Sequence, residues 1–177
     1  PHMPYKGLIM AILISPMIVP LIITAAGMFF FYARINLVYT FTGVILAHVA
    51  LATPFVVITV TATLVGFDMN MVKAAQSLGA KPIRTFFKVI MPLILPGIIS
   101  GALFAFITSF DEVVIVMFMA SIDQLTIPKQ MWAGIRQEIS PVILCMATCL
   151  VLLSIFLLTT VELLRRRSEK LRGIKAR

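Results

Sequence analysis

Four long runs without a charged residue divide this sequence, and they limit its possible folds more than any other feature. The runs hold 27, 33, 22 and 23 residues, and about 20 apolar residues let a helix cross a bilayer. A lone segment in lipid must satisfy its own backbone hydrogen bonds, so it forms an α-helix. We therefore predict an all-α, polytopic membrane protein with one domain over residues 4–165, preceded by a cloning remnant at residues 1–3. The predicted spans are residues 7–33, 37–66, 91–118 and 141–163.

Composition supports a membrane location and excludes several functions. Hydrophobic residues make up 60% of the chain and charged residues 12%, with a mean hydropathy of +1.06. A soluble domain carries about 25% charged residues. The net charge of +8 does not indicate a nucleic-acid partner, because the basic residues lie at the ends of apolar runs. The sequence contains no phosphate-binding loop, metal-ligand cluster or catalytic triad, so we predict no catalytic residue, metal site or cofactor.

Charges between the runs predict the orientation of the spans. Four basic residues and one acid give residues 68–88 a net charge of +3, and residues 162–177 carry +5. Residues 111–138 carry −2. Because basic loops stay on the cytoplasmic side, the first two segments are predicted inside and the third outside. Arg34 is the one positive charge in the predicted outer turn, and residues 166–177 are predicted to be a basic cytoplasmic tail.

Residues 68–90 form a short basic segment with clear helix signals. Asp68 is a suitable N-cap for the helix-forming stretch MNMVKAAQSL. Gly79 is placed to end that helix, and Pro82 suits the first turn of a second helix over about 82–90 that runs into the third span. We predict a helical elbow on the cytoplasmic face. The small residues of this elbow favour docking of a partner protein, and its basic residues equally favour contact with anionic lipid.

The spacing in this elbow resembles that of a transporter family. The chain has KAA from Lys73, three residues, Gly79, nine residues, and VIMP ending at Pro92. Permease subunits of binding-protein-dependent ABC importers have Glu-Ala-Ala, three residues, Gly, nine residues and Ile-x-Leu-Pro. Further segments are similar to the spermidine/putrescine branch of that family: LAHVALATPFVV at 46–57, SFDEVVIVMFM at 109–119 and TIPKQMWAGIRQEISP at 126–141.

In that family the loop is a coupling helix that docks into a groove on a cytoplasmic ATPase. The resemblance implies an ATPase-coupling role for nine residues: Met71, Lys73, Ala74, Ala75, Gly79, Ala80, Pro82, Arg84 and Lys88. Lys73 stands where the motif has Glu, so either Gly79 and the helix shape carry the contact or the ATPase surface is adapted. Family members usually have six spans, which implies that this chain corresponds to the last four.

The resemblance also implies a function and partners. The chain would form half of a pathway for polyamines or a related cationic solute in the bacterial inner membrane, with its C-terminus in the cytoplasm. Its partners would be a second permease subunit, an ATPase dimer that uses ATP and Mg²⁺, a periplasmic substrate-binding protein and the bilayer. Opines, phosphonates and ferric iron are alternative substrates, and a self-contained four-span channel or transporter is an alternative function.

The third run carries a polar and aromatic stripe. Ser100, Phe104, Thr108 and Asp111 recur at spacings of four, four and three, so they share one helix face. A cationic amine would suit this stripe through charge pairing and cation–π contact. We predict these residues and Glu112 as the substrate pathway. Only one of the two adjacent acids can face it, and we assign that position to Asp111. The alternative is that both acids are interfacial charges that end the helix.

Other residues have two possible roles each. His48 lies in the middle of the second predicted span, where it is either a pathway residue or, more simply, a hydrogen-bonding partner for a neighbouring helix. Four residues at the foot of the third span are candidates for a hinge, although small residues at this spacing also serve close helix packing. These candidates are Pro92, Pro96, Gly97 and Gly101.

Residues 126–139 are predicted to form an amphipathic helix that lies on the outer surface or dips into the bilayer, because apolar residues recur there at every fourth position. These apolar residues are Ile127, Met131, Ile135 and Ile139. We expect the charged residues of this segment to be exposed and to contact the substrate-binding protein. They are Lys129, Arg136 and Glu138.

Overall fold

The computed structural model describes residues 4–137 and 140–171, and in this part of the chain all regular structure is helical. The α-helices are α1 Lys6–Ile18, α2 Leu21–Arg34, α3 Phe41–Val65, α4 Met69–Ser77, α5 Pro82–Thr85, α6 Met91–Phe110, α7 Val114–Met119, α8 Ile127–Gln137 and α9 Pro141–Leu171. A π-helical turn, Phe86–Ile90, joins α5 to α6, and a 3₁₀ turn, Ile122–Gln124, precedes α8.

Three of the described helices are long and apolar enough to cross a membrane: Phe41–Val65, Pro82–Phe110 and Pro141–Thr160. A fourth span results if the bent pair α1 and α2 is counted as one. The predicted class, an all-α polytopic membrane protein, is confirmed. The last helix extends to Leu171, beyond the predicted end of the span at residue 163 and into the predicted tail, and residues 172–177 lie outside the described part.

The first predicted span, residues 7–33, consists of two helices in the structure. α1 and α2 meet at a bend of 111°. Pro20 causes the break, because a proline disfavours helical backbone at the residue before it, and Val19 is extended with ψ at 135°. Beyond the bend the two halves contact different partners, α1 against α3 and α2 against α7. Residues 16–21, at this bend, line a cavity together with residues of α3, α6 and α7.

The third predicted span, residues 91–118, begins earlier and ends earlier than the sequence suggested. Its helix is continuous from Pro82 to Phe110, so the second arm of the elbow runs directly into the span as predicted. The helix stops at Asp111, and residues 114–119 form the separate helix α7. No proline or glycine marks this break. Glu112 makes the new start possible because its carboxylate caps the first turn of α7.

α3 and α6 form the most extensive helix pair in the described chain, and two glycines allow their close approach. A Cβ atom added at Gly97 would overlap the Thr63 hydroxyl and lie 3.1 Å from the Thr59 carbonyl oxygen. A Cβ atom added at Gly101 would overlap the Thr59 hydroxyl and lie 3.0 Å from the Val56 Cα. Gly97 and Gly101 therefore have a packing role, and the predicted hinge at these positions stays a prediction.

α7 is a short buried helix whose two ends are held by side chains of opposite charge. The Glu112 carboxylate accepts hydrogen bonds from the backbone N–H of Ile115 at 2.9 Å and of Val116 at 3.2 Å. The Lys129 ammonium donates to the carbonyl oxygens of Val116 at 3.3 Å and Ala120 at 3.4 Å. An anion at the N-terminal end and a cation at the C-terminal end both match the helix dipole.

The expected surface role of α8 is thereby corrected in part. Lys129 is half-buried, because its ammonium reaches the carbonyl oxygens at the end of α7 and does not point into the solvent. Arg136 is exposed and lies 5.7 Å from the centre of the Trp132 ring. The predicted helix exists as Ile127–Gln137, while Glu138 and Ile139 lie outside the described residues.

Replacing Lys129 with methionine is expected to lower the free energy of unfolding by about 1–2 kcal/mol, because two carbonyl oxygens lose a charged donor. The measurement is thermal unfolding of the purified protein in detergent. Gln130→Met is the matched control, since Gln130 is an exposed neighbour on the same helix. Equal destabilisation by both variants would show that the ammonium does not hold α7.

Candidate functional site

A cavity of about 620 Å³ lies against the bend between α1 and α2. Residues 16–21 of the bend form one wall, and residues of α3 and of the α6–α7 junction form the others. Thr108, Asp111 and Glu112, all predicted for the pathway, line this cavity together. Ser100 and His48, which were predicted with them, are not part of its lining.

The two carboxylates of this cavity have different roles. Glu112 is 5% exposed, and both of its oxygens accept backbone hydrogen bonds from α7. Asp111 is exposed at the C-terminal end of α6. Within residues 4–137 and 140–171, no group forms a hydrogen bond or an ion pair with the Asp111 carboxylate. Asp111 is therefore the carboxylate free to meet a ligand, while Glu112 stabilises the helix beside it.

An aromatic pair between α3 and α6 lies beside the cavity. Phe55 lines the cavity, and its ring stacks on that of Phe104, with centroids 6.4 Å apart and planes inclined by 24°. Phe104, which was predicted for the pathway, does not line the cavity but stacks on Phe55, which does. Phe55 was not among the residues predicted from the sequence. The signal that could have found it is its spacing of four from Leu51, another lining residue on the same face of α3.

His48 belongs to the packing between α3 and α6. Its Nδ1 atom lies 2.8 Å from the Ser109 hydroxyl oxygen, which is hydrogen-bonding distance. Its Nε2 atom is buried and has no hydrogen-bond partner among the described residues. His48 also lines a separate cavity of about 530 Å³ formed mainly by α3, α6 and α8. This geometry favours the interhelical hydrogen bond over the pathway role.

Three residues determine the local structure of the elbow, and each has the role predicted from the sequence. Asp68 caps α4 by accepting the Asn70 backbone N–H at 2.9 Å. Gly79 ends that helix with φ at +80°, and the chain closes with hydrogen bonds from Gly79 N–H to the Gln76 carbonyl and from Ala80 N–H to the Ala75 carbonyl. Pro82 is the first residue of α5.

The elbow surface combines exposed apolar and basic side chains. Leu78 is 88% exposed and Ile83 is 76% exposed, and they flank the glycine turn. Val72 of α4 and Thr85 of α5 are buried, and the two arms that carry them contact each other. Sequence reasoning missed Leu78 and Ile83, whose signal was an apolar residue on each side of a polar turn. Most predicted coupling residues are also exposed: Met71, Lys73, Ala74, Gly79, Pro82, Arg84 and Lys88.

Residues 2–170 match the family described as the binding-protein-dependent transport system inner membrane component. The chain belongs to this family of membrane transport components. The family is one of transport permeases rather than enzymes, and membership agrees with several apolar helices that can cross a membrane.

Individual permeases of known name are similar to this chain. A spermidine/putrescine transport system permease protein, PotC of Haemophilus influenzae, is 29% identical over 93% of this chain and 62% of its own length. PotC of Escherichia coli is 28% identical over 93% of this chain and 61% of its own length. The putrescine transport system permease protein PotI of E. coli is 37% identical over 58% of this chain and 37% of its own. The chain spans about three fifths of the length of the two PotC relatives.

The segment that resembles the family motif and the cavity at Asp111 lie at the two ends of the same helix. The KAA–Gly79–Pro92 spacing that suggested the family lies on the exposed elbow, and the elbow continues without a break into α6. Asp111 lies at the opposite end of that helix. One continuous helix therefore joins the elbow of this permease to its cavity.

Proposed function

We propose that this chain is a membrane subunit of an ATP-driven importer and forms half of the pathway for polyamines or a related small cationic amine. The named relatives are permeases of spermidine/putrescine and putrescine transport systems, which supports this substrate class. The observation that carries the proposal is the free Asp111 carboxylate in the cavity beside α6. The lining of that cavity, as described, includes no basic side chain.

The cavity chemistry suits an alkyl diamine or triamine. A protonated amine gains charge pairing with Asp111, and the Thr108 hydroxyl is a further acceptor in the same lining. The Phe55–Phe104 pair supplies aromatic faces, which attract ammonium groups and contact the methylenes between them. Anionic solutes such as phosphonates would be repelled by this carboxylate, so they fit the cavity less well.

The elbow is proposed to be the docking site of a separate cytoplasmic ATPase. Leu78 and Ile83 are exposed apolar side chains that a protein groove would bury, and Lys73, Arg84 and Lys88 surround them with positive charge. This assignment places the elbow and the C-terminus in the cytoplasm and the 111–138 segment outside, where a periplasmic binding protein delivers substrate. A second permease subunit completes the pathway.

Transport in this proposal requires no covalent chemistry in the chain. ATP binding by the partner ATPase shifts an equilibrium between inward-open and outward-open states, and the shift depends on contacts that differ between those states. The continuous helix from Pro82 to Phe110 is the element that links the ATPase surface to Asp111. Met71 to Lys88 receive the movement, and the cavity changes access.

The proposal is tested by uptake into proteoliposomes that contain the assembled transporter with its binding protein. We expect uptake of labelled putrescine or spermidine that depends on ATP and is competed by the other polyamine. Uptake that continues without ATP would favour the alternative, a self-contained channel or secondary transporter. Competition by a phosphonate or ferric iron, but not by polyamines, would assign a different substrate.

Asp111→Asn is expected to reduce the affinity for putrescine by about tenfold or more, because a charge-assisted contact is lost. The measurement is the putrescine concentration at half-maximal uptake. Asp123→Asn is the matched control, since Asp123 is an exposed acid on the predicted outer surface and does not line the cavity. Unchanged affinity in the Asp111 variant would remove Asp111 from the pathway.

A further inference from the structure

Asp111 borders a second cavity in addition to the one at the α1–α2 bend. This second cavity has a volume of about 550 Å³ and lies between α6, α8 and α9. Ile107, Asp111 and Val113 line both cavities, so the α6–α7 junction is the wall that they share. A ligand group bound at Asp111 therefore has access to two spaces of different chemistry.

The second cavity is apolar except at Asp111 and Ser154. Its wall on α6 includes the stacked rings of Phe106 and Phe110, whose centroids are 5.3 Å apart. Trp132 of α8 forms part of the opposite wall, and aliphatic side chains of α9 close the third side. Asp111 is the one charged side chain among the described lining residues. The volume lies within the range of small-molecule sites, about 300–1,000 Å³.

We propose that this second cavity binds the alkyl chain of an amphiphilic amine whose ammonium group pairs with Asp111. The inference rests on the proposed function in taking Asp111 as an ammonium-binding group. The carboxylate selects a cationic head and repels a fatty acid, while the aromatic and aliphatic walls remove the chain from water. An unmodified polyamine lacks the chain and uses only the first cavity, so N-alkylated amines form a distinct ligand class for the same carboxylate.

The chain itself carries a probe for this site. Trp132 is the single tryptophan of the sequence and lines the cavity. N-dodecylputrescine, added to the full chain in nanodiscs, is expected to shift Trp132 emission in a saturable way. Each buried methylene contributes roughly a fourfold gain in affinity, so the dodecyl chain is the part of this ligand that drives binding in the second cavity. Putrescine, which uses only the first cavity, is expected to give no saturable shift of Trp132 emission.

Two variants and one uncharged ligand separate this site from simple partition into the bilayer. Ala147→Phe fills the cavity from α9 and is expected to raise the N-dodecylputrescine midpoint about tenfold. Leu152→Phe is its control, because Leu152 is exposed on the same helix and does not line the cavity. Asp111→Asn is also expected to raise the midpoint about tenfold, and dodecan-1-ol is expected to give no saturable shift.

The outcomes distinguish this inference from the proposed function. A saturable shift that Ala147→Phe and Asp111→Asn both weaken supports the inference, whatever the uptake assay gives. A shift that is equal in all variants, or equal for dodecan-1-ol, overturns it and leaves polyamine uptake intact. Absence of ATP-dependent putrescine uptake, with the fluorescence result retained, overturns the proposed function alone.

Discussion

Gly79→Val is expected to reduce ATP-dependent uptake at least about tenfold while the chain still inserts into the membrane. Gly79 has φ at +80°, where a β-branched residue is strongly disfavoured, so valine rebuilds the turn between the two elbow arms. A Cβ atom there would meet nothing within 4 Å in this chain, so the effect comes from backbone shape and not from an internal clash. Uptake, ATPase copurification and the amount of membrane-inserted chain are the three measurements.

The matched control for this prediction is Gly66→Val. Gly66 lies in the same exposed region, but it has φ at −83° and a Cβ atom there would lie 3.9 Å from the nearest atom, the Thr63 carbonyl oxygen. This variant is expected to retain uptake and ATPase binding. If the Gly79 variant transports normally, the elbow is not the coupling surface. If both variants fail to insert, the glycines serve folding rather than coupling.

Gly101→Val is expected to destabilise the folded chain by roughly 1–3 kcal/mol or more, the range for overfilling a tight contact. The added side chain would overlap the Thr59 hydroxyl and press on the Val56 backbone, which cannot rotate away. α3 and α6 would have to separate along their whole contact. Thermal unfolding and the yield of monodisperse protein in detergent measure the effect.

Gly27→Val controls for the change in helix propensity, because Gly27 lies in α2 with nothing within 4 Å of an added Cβ atom. We expect this control to unfold within a few degrees of the unchanged protein. Equal losses in the two variants would mean that the α3–α6 crossing does not depend on glycine at position 101.

The elbow could be predicted from sequence because its signals are local. A cap at Asp68, a left-handed residue at Gly79 and a first-turn proline at Pro82 each act on neighbouring backbone, so no tertiary information is needed. The spans were found for a similar reason, since lipid imposes helical structure on any apolar run of sufficient length. Hydropathy alone therefore gave the fold class.

The breaks in the spans depended on contacts that sequence does not display. Pro20 disfavours helical backbone at the residue before it, but the 111° bend between α1 and α2 depends on where the two helices pack. The end of α6 at Asp111 has no breaking residue, and it becomes understandable only when Glu112 is seen to cap α7. Lys129 was predicted to be exposed, and this was wrong. Its partners are backbone carbonyls 13 and 9 residues earlier in the chain, and a backbone carbonyl cannot be recognised from the sequence.

The candidate site was predicted in part for the same reasons. Thr108 and Asp111 share a helix face by spacing alone, and the structure brings both to one cavity. Phe55 and the α1–α2 bend come from other elements, so their approach is a matter of tertiary packing. Ser100 lies on the predicted stripe but does not line that cavity, since the wall formed by the bend lies at the Asp111 end of α6.

The helix from Pro82 to Phe110 crosses α3 closely at Gly97 and Gly101, which lie well inside its length. Its 29 residues make it about 43 Å long at 1.5 Å per residue. The glycine crossing with α3 divides it into arms of about 24 Å toward Ile83 and about 18 Å toward Asp111. A tilt of about 10° at that crossing moves the elbow by about 4 Å and the carboxylate by about 3 Å in the opposite direction. In the proposed transport cycle, a push at the elbow would therefore displace the Asp111 end of the helix by a comparable distance in the opposite direction.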